Sequence, residues 1–119
     1  MPITPLVVDS VEALAARPGR TIVFKDSGTC ELSQWAAHQL AKLVNVEEVM
    51  IHRVDVHSQR ALSQAIEAYF GVRHESPQLL FIDDGKVTWH SSHRALRTER
   101  VSAAIAAIDG ETPESGARS

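Results

Sequence analysis

The single cysteine of the chain, Cys30, lies where a thiol can become reactive. Residues 21–24 read as a strand, residues 25–29 as a turn, and Cys30 then opens a predicted helix that runs to about Val44. A cysteine at a helix start faces unpaired backbone N–H groups and the positive end of the helix dipole, and both favour thiolate over thiol. Because thiolate is the nucleophile, this pattern predicts a reactive cysteine. The alternative is a small, buried and inert side chain, as free cysteines often are.

The residues around the thiol form a C-x-x-S pattern, Thr29-Cys30-Glu31-Leu32-Ser33. Ser33 lies one helical turn after the thiol, where a dithiol enzyme keeps its resolving cysteine. Serine cannot close a disulfide, but its hydroxyl could hydrogen-bond the thiolate. Glu31 suits the first turn of a helix, yet it also places negative charge beside the sulfur and so opposes ionisation of the thiol.

The elements that must position the thiol alternate between strands and helices. Hydrophobic periodicity and turn signals predict a helix at 11–16 capped by Ser10 or Asp9, a strand at 49–55, an amphipathic helix over 62–70 closed by Gly71, a strand at 79–82, an Asp84-Gly85 hairpin into a strand at 86–90, and a last helix over 101–108. A short strand at 6–8 is an optional addition. Strand–helix alternation implies parallel strands, and the hairpin adds antiparallel ones. The sequence therefore predicts an α/β fold with a central mixed sheet flanked by helices on both faces, the thioredoxin-like arrangement.

The Ser76-Pro77 pair immediately precedes the strand at 79–82. X-Pro bonds are cis in only about 5–6% of cases in folded proteins. In thioredoxin-like folds, however, a cis-proline at this place in the order lies beside the reactive cysteine. We therefore expect a cis Ser76–Pro77 bond close to Cys30, at the edge of the sheet where such folds bind ligands.

Two longer segments carry a family resemblance. Residues 71–78 read Gly-Val-Arg-His-Glu-Ser-Pro-Gln, and residues 84–93 follow an Asp-Gly-Lys…Trp-His-x-Ser-His pattern. Together with the C-x-x-S, they closely resemble the monothiol bacilliredoxin family, the thioredoxin-like proteins of the bacillithiol system, over roughly residues 22–96. The chain departs from the family at three positions. It has Glu31 for the usual proline, Leu32 for isoleucine, and Arg94 where an aromatic residue is expected.

The resemblance implies a thiol–disulfide oxidoreductase. Cys30 would be the nucleophile that takes bacillithiol from a mixed disulfide on a client protein. A second bacillithiol would then remove the first, because the chain has no resolving cysteine. Bacillithiol is thus expected as a co-substrate and bacillithiolated proteins as partners, with no permanently bound cofactor. The residues expected to support the nucleophile are Thr29, Glu31, Ser33, Ser76 and Pro77.

Basic residues near the site are candidates for binding the malate or glucosamine groups of the ligand. Lys25, Arg73 and His74 fill this role in the prediction. His74 could also fix its loop by hydrogen bonding or help protonate the leaving thiolate. His90 and His93 with Cys30 would offer a metal only three ligands in no known motif, so no metal site is expected.

Composition excludes several other classes of function. The net charge of −3 argues against nucleic-acid binding, and no apolar run approaches the length of a membrane span. With one cysteine and no visible signal peptide, we expect a cytoplasmic protein. We also expect a monomer. Its 119 residues fit one domain at 1–108 followed by a flexible tail at 109–119. The basic cluster of Arg94, Arg97 and Arg100 is expected on the solvated face of the last helix, and Trp35 and Trp89 in the core.

Two other functions remain open on the sequence. The domain could be a thioredoxin-like binding or assembly module whose thiol is incidental. It could also be a monothiol glutaredoxin-like carrier of an iron–sulfur cluster, although the C-G-F-S sequence of that group is absent. Reaction of folded Cys30 with a thiol probe below about pH 7 would separate an active thiol from an incidental one.

Overall fold

The fold is a five-stranded sheet with helices on both faces. The computed structural model describes residues 3–8, 10–28, 30–47 and 50–109. In chain order the elements are β1 (Ile3–Pro5), α1 (Val11–Ala15), β2 (Arg20–Asp26), α2 (Glu31–Glu47), β3 (Ile51–Asp55), α3 (Arg60–Phe70), β4 (Gln78–Asp83), β5 (Lys86–Ser92), a 3-10 turn (His93–Ala95) and α4 (Thr98–Asp109).

The sheet is mixed, with the strand order β1-β3-β2-β4-β5. β3 runs parallel to both β1 and β2, whereas β4 is antiparallel to β2 and β5 is antiparallel to β4. β2 is thus the central strand, and it carries the chain directly toward the cysteine. The predicted α/β class with a mixed central sheet is confirmed.

Two hydrophobic cores lie on the two faces of the sheet. Alternate residues of the central strands pack into one core or the other, because successive side chains of a strand point to opposite faces of the sheet. Ile22 and Phe24 pack in one core with residues of α2 and α4. Val23 packs in the other core with Leu14 of α1 and Ile66 of α3. The central strands are buried on both sides, which holds the end of β2 rigidly in place.

Local signals in the sequence predicted the ends of several elements. Ser10 caps α1, where its Oγ accepts a hydrogen bond from the amide of Ala13 over 3.1 Å. Gly71 closes α3 in the left-handed conformation, with φ of 70°. The hairpin between β4 and β5 turns through Asp84 and Gly85, both with positive φ, as a two-residue turn of this type requires.

The first strand lies elsewhere than predicted. It spans Ile3–Pro5 rather than 6–8, and pairs with β3 over three residues. Leu6 extends this pairing by one hydrogen bond, from its amide to the carbonyl of Arg53, while its side chain enters the core. Val7 is 80% exposed. The apolar run at 6–8 is therefore the exit from the strand.

The basic cluster is also distributed differently from the prediction. Arg100 lies in α4, but Arg97 precedes that helix and Arg94 lies in the 3-10 turn at the end of β5.

The predicted tail falls on Asp109, the last residue of α4, and on residues 110–119, which lie outside the described residues. Within the described ranges, no helix is both long and apolar enough to cross a membrane.

Candidate active site around Cys30

Cys30 immediately precedes α2 and is partly exposed. The amide of Gln34 donates to the carbonyl of Cys30 over 3.0 Å, which is the first hydrogen bond of the helix. The thiol thus lies at the helix N-terminus, where the dipole and the free N–H groups favour a negative charge. The predicted placement of Cys30 at a helix start is confirmed. Thr29, the residue before it, lies outside the described residues.

A buried carboxylate fixes the loop that leads to the thiol. Asp26, at the end of β2, is only 7% exposed. Its Oδ1 accepts a hydrogen bond from the amide of Gly28 over 2.9 Å, and its Oδ2 accepts one from Nε of Arg53 over 2.6 Å. Gly28 adopts a left-handed φ of 60°, which glycine tolerates without strain. Asp26 therefore holds the turn that aims the chain at Cys30.

Ser33 supports the same loop from inside the helix. Its side chain is fully buried, and its Oγ accepts a hydrogen bond from the amide of Ser27 over 3.2 Å. From the next position, Nε2 of Gln34 donates to the carbonyl of Gly28 over 3.3 Å. Ser33, which replaces a resolving cysteine in the C-x-x-S pattern, thus connects α2 to the loop before Cys30, called the thiol loop below. A hydrogen bond from Ser33 to the thiolate stays a prediction.

The Ser76–Pro77 peptide bond is cis, as predicted. Pro77 is buried and precedes Gln78, which pairs with Lys25 in the register between β4 and β2. This register places the proline at the edge of the sheet where β2 leaves toward Cys30. The carbonyl of Pro77 accepts a hydrogen bond from the amide of His93 over 2.9 Å. This bond joins the segment that contains Ser76 and Pro77, called the proline loop below, to the 3-10 turn.

Two clefts flank this edge. The first is a shallow groove of about 380 Å³ that contains the thiol; it is lined by Cys30, Glu31, Leu32, Trp35 and Arg94. The second is a polar cleft of about 340 Å³; it is lined by Ser27, Val56, His57, Arg60, Ser63, Gln64, His74 and Ser76. The thiol groove is the surface on which a partner of Cys30 would lie.

Comparison with known proteins identifies the family. A model of the family described as "Monothiol bacilliredoxin BrxC" matches residues 7–101. The chain belongs to the monothiol bacilliredoxin family. Membership fits the site, because the chain has one cysteine and places it at the start of a helix. The family and the fold together support a thiol redox function.

Solved structures share the fold over nearly the whole chain. A proposed oxidoreductase with a thioredoxin fold is 26% identical, with a TM-score of 0.76 over 87% of this chain and 92% of that one. Reduced thioredoxin 2 from Pseudomonas aeruginosa PAO1 is 20% identical, with a TM-score of 0.69 over 88% and 93% of the two chains. A mutant thioredoxin from Halobacterium salinarum NRC-1 is 17% identical, with a TM-score of 0.70 over 93% of each.

Lys25, a candidate ligand-binding residue in this bacilliredoxin-family chain, is fully buried. Its Nζ donates to the carbonyl of Ser63 over 3.0 Å and lies 3.2 Å from Nδ1 of His74. Burial lowers the pKa of Lys25 to about 8, against an opposing effect of the Glu67 carboxylate. Lys25 thus reaches the polar cleft through His74, and direct contact with a ligand stays a prediction.

His74 is held between Lys25 and α3. Its amide donates to Oε2 of Glu67 over 2.9 Å, and its ring lines the polar cleft. Burial and the neighbouring Lys25 ammonium lower the pKa of His74. Of the three roles predicted for this histidine, which are ligand binding, fixing the loop and protonating the leaving thiolate, fixing the loop is the one that these contacts favour.

Arg73 is exposed, and its carbonyl accepts a hydrogen bond from Nε2 of the buried Gln78. Its backbone thus helps to hold the proline loop, but Arg60 and Arg94 are the arginines that line the two clefts. Sequence reasoning gave Arg60 no role. Its position at the start of α3, after the carboxyl end of β3, was the available signal.

His93 binds a carboxylate. Its Nδ1 lies 3.0 Å from Oε1 of Glu75, and Oγ of Ser92 donates to the same oxygen over 3.2 Å.

Across the described residues, no three side chains of the His, Cys, Asp or Glu types form a group that could hold a metal ion. Trp35 and Trp89 both pack against the core on the α2 face, and Trp35 also lines the thiol groove.

Proposed function

We propose that this protein removes bacillithiol from mixed disulfides on client proteins, with Cys30 as the nucleophile. The observation that carries the proposal is a partly exposed thiol at a helix N-terminus in a member of the monothiol bacilliredoxin family. The cis Ser76–Pro77 bond at the same edge of the sheet supports it.

The reaction consists of two thiol–disulfide exchanges. In the first, the Cys30 thiolate attacks the bacillithiol sulfur of the mixed disulfide, a bond forms between the two sulfurs, and the client leaves as a thiolate that takes a proton from solvent. The client is thereby reduced and Cys30 is oxidised. In the second, a thiolate of free bacillithiol attacks the bacillithiol sulfur bound to Cys30. Cys30 is released reduced, and bacillithiol disulfide is the product.

The chain's own residues prepare the first exchange. The α2 N-terminus stabilises the attacking thiolate, while Asp26 and Ser33 hold the preceding loop in place. With one cysteine in the chain, no internal disulfide can form, so the adduct on Cys30 persists until a second thiol arrives. That requirement makes bacillithiol the co-substrate in this scheme.

The test measures loss of bacillithiol from a modified client by mass spectrometry. Wild-type protein should remove it and acquire the adduct on Cys30, and Cys30→Ser should do neither while keeping its circular dichroism spectrum. Met1 and Met50 are thioethers and cannot replace the thiol. As a control, Ser102→Ala in α4 should retain full activity. Turnover by folded Cys30→Ser would contradict the proposal, and an unreactive wild-type thiol would favour a non-catalytic binding module.

A further inference from the structure

The thiol groove carries two exposed and opposite charges, Glu31 and Arg94. Glu31 is the first residue of α2, directly after Cys30, whereas Arg94 belongs to the 3-10 turn. Both side chains line the same groove as the thiol, yet among the described residues neither forms an ion pair. A groove with a reactive sulfur and two unpaired charges of opposite sign is suited to a ligand that carries both signs itself.

Backbone and side-chain contacts hold the turn that bears Arg94 in place. The amide of His93 donates to the carbonyl of Pro77, and the ring of His93 pairs with Glu75 across 3.0 Å. Leu96, at the end of the turn, is fully buried. The turn is thus fastened to the proline loop on one side and to the core on the other. Arg94 is carried by a fixed backbone beside the thiol, which reduces the ordering cost of ligand binding.

We propose that the groove selects a zwitterionic low-molecular-weight thiol, with Arg94 binding its carboxylate and Glu31 binding its ammonium group. The inference rests on the proposed function, because the selected group is the one that becomes disulfide-bonded to Cys30. Charge selection of this kind directs the attack of Cys30 to the sulfur of the small thiol. It also assigns a use to two positions at which the chain departs from the family pattern.

The experiment uses four symmetric disulfides that differ in charge. The probes are 2-hydroxyethyl disulfide, which is neutral, cystamine, which is cationic, 3,3′-dithiodipropionate, which is anionic, and cystine, which is zwitterionic. In each case the Cys30 thiolate attacks one sulfur, forms a mixed disulfide and releases the other half as a thiolate. Acid-quenched mass spectrometry of the adduct gives the rate constant. Dividing by the rate constant with the neutral probe cancels any change in the thiolate fraction of Cys30.

The two variants should change selectivity in opposite directions. Relative to the neutral probe, Arg94→Gln should slow attack on the anionic disulfide by about two- to five-fold and should not slow attack on the cationic one. Glu31→Gln should slow attack on the cationic disulfide by a similar factor and spare the anionic one. Cystine should lose rate in both variants. About 0.5 M NaCl should reduce every one of these differences, because it screens exposed charges.

Arg97→Gln is the matched control, since it removes the same exposed charge three positions away and outside the groove. It should leave all rate ratios as in the wild type. Equal effects of Arg94→Gln on every charged probe, or none, would overturn the inference, as would an equal effect of Arg97→Gln. If Cys30 reacts with the neutral disulfide but shows no charge selectivity, this inference fails and the exchange chemistry stands. If Cys30 reacts with none of the probes, the proposed function fails as well.

Discussion

At the scale of single residues, the thiol is governed by two opposing charges on the same helix end. Free N–H groups at the start of α2 favour the thiolate, whereas the carboxylate of the adjacent Glu31 opposes it. Glu31 is exposed, so water and salt screen its effect. The helix terminus cannot be removed by mutation, but the carboxylate can. A substitution at Glu31 therefore tests the effect of charge on the thiol.

We predict that Glu31→Gln speeds alkylation of Cys30 at acidic pH. Two charges some 6 Å apart interact by at most a few kcal/mol at an effective dielectric near 20, and by less with solvent screening. The expected gain in the iodoacetamide rate at about pH 6 is therefore a few-fold and at most about tenfold, with little change at about pH 9. The reagent is neutral, so its own attraction to the groove does not contribute.

Glu99→Gln, which removes a first-turn carboxylate from α4, serves as the control and should leave the profile unchanged. An identical rate for Glu31→Gln and wild type at acidic pH would mean that the carboxylate points away from the sulfur. The departure from the family proline at this position would then have no electrostatic effect on the thiol.

Some residues of the candidate site could be predicted from the sequence, and others could not. Cys30 and Ser76-Pro77 were found because each has a local signature, a cysteine at a helix start and a proline before a strand. The Asp26–Arg53 pair has none, since its members lie far apart in the chain and meet only through the parallel register of β2 and β3, which places Phe24 opposite Arg53. Asp26 was read as part of a turn, whereas it is the buried end of a strand.

At the scale of elements, the Asp26–Arg53 pair joins two neighbouring strands just below the thiol loop. Arg53 Nε lies 2.6 Å from Oδ2 of Asp26, and its Nη2 lies 3.3 Å from Oδ2 of Asp55. Asp55 in turn accepts hydrogen bonds from the amides of His57 and Ser58, which shape the connection to α3. Asp55 thus caps this turn, and Gln59 occupies the N-cap position of α3.

We predict that Arg53→Met weakens both the fold and the positioning of the thiol. The variant leaves the carboxylate of Asp26 buried without its cation, at a cost of about 1–3 kcal/mol in the free energy of unfolding. The double variant Arg53→Met with Asp26→Asn should recover part of that loss, because the uncompensated charge is gone. Urea denaturation measures the stability, and the Cys30 alkylation rate reports on the loop.

Arg60→Met, which removes an exposed arginine, should leave the stability within about 0.5 kcal/mol of wild type. If Arg53→Met were equally harmless, the ion pair would contribute nothing to the fold. If the double variant were no more stable than Arg53→Met, the loss would come from packing of the arginine stem and not from an unpaired carboxylate.

At the scale of the whole molecule, the order of the layers could be predicted from the sequence, but the position of the edge strand could not. Alternating strands and helices fix a mixed sheet with two covered faces, and the Asp84-Gly85 turn fixes the final hairpin. The first strand was misplaced because β1 is an edge strand of three residues, too short to leave a periodic pattern. The fully buried charge of Lys25 was also not foreseen, since a strand lysine is ordinarily exposed.

Lys25 makes the stability of the whole fold depend on pH, because its pKa is about 8 in the folded protein and about 10.4 in an unfolded chain. Between these values the unfolded chain holds the proton and the folded protein does not. Stability therefore rises with pH across this window. From about pH 8 to about pH 10, we predict a gain near 2 kcal/mol in the wild type that Lys25→Met lacks.

Denaturation of both proteins across this range checks the prediction, and the difference between the two curves removes the contributions of all groups other than Lys25. Lys86→Met, at an exposed position of β5, should retain the wild-type pH dependence. Parallel curves for Lys25→Met and wild type would show that Lys25 keeps its ordinary proton affinity on folding. The burial of its ammonium between Ser63 and His74 would then carry no net electrostatic cost.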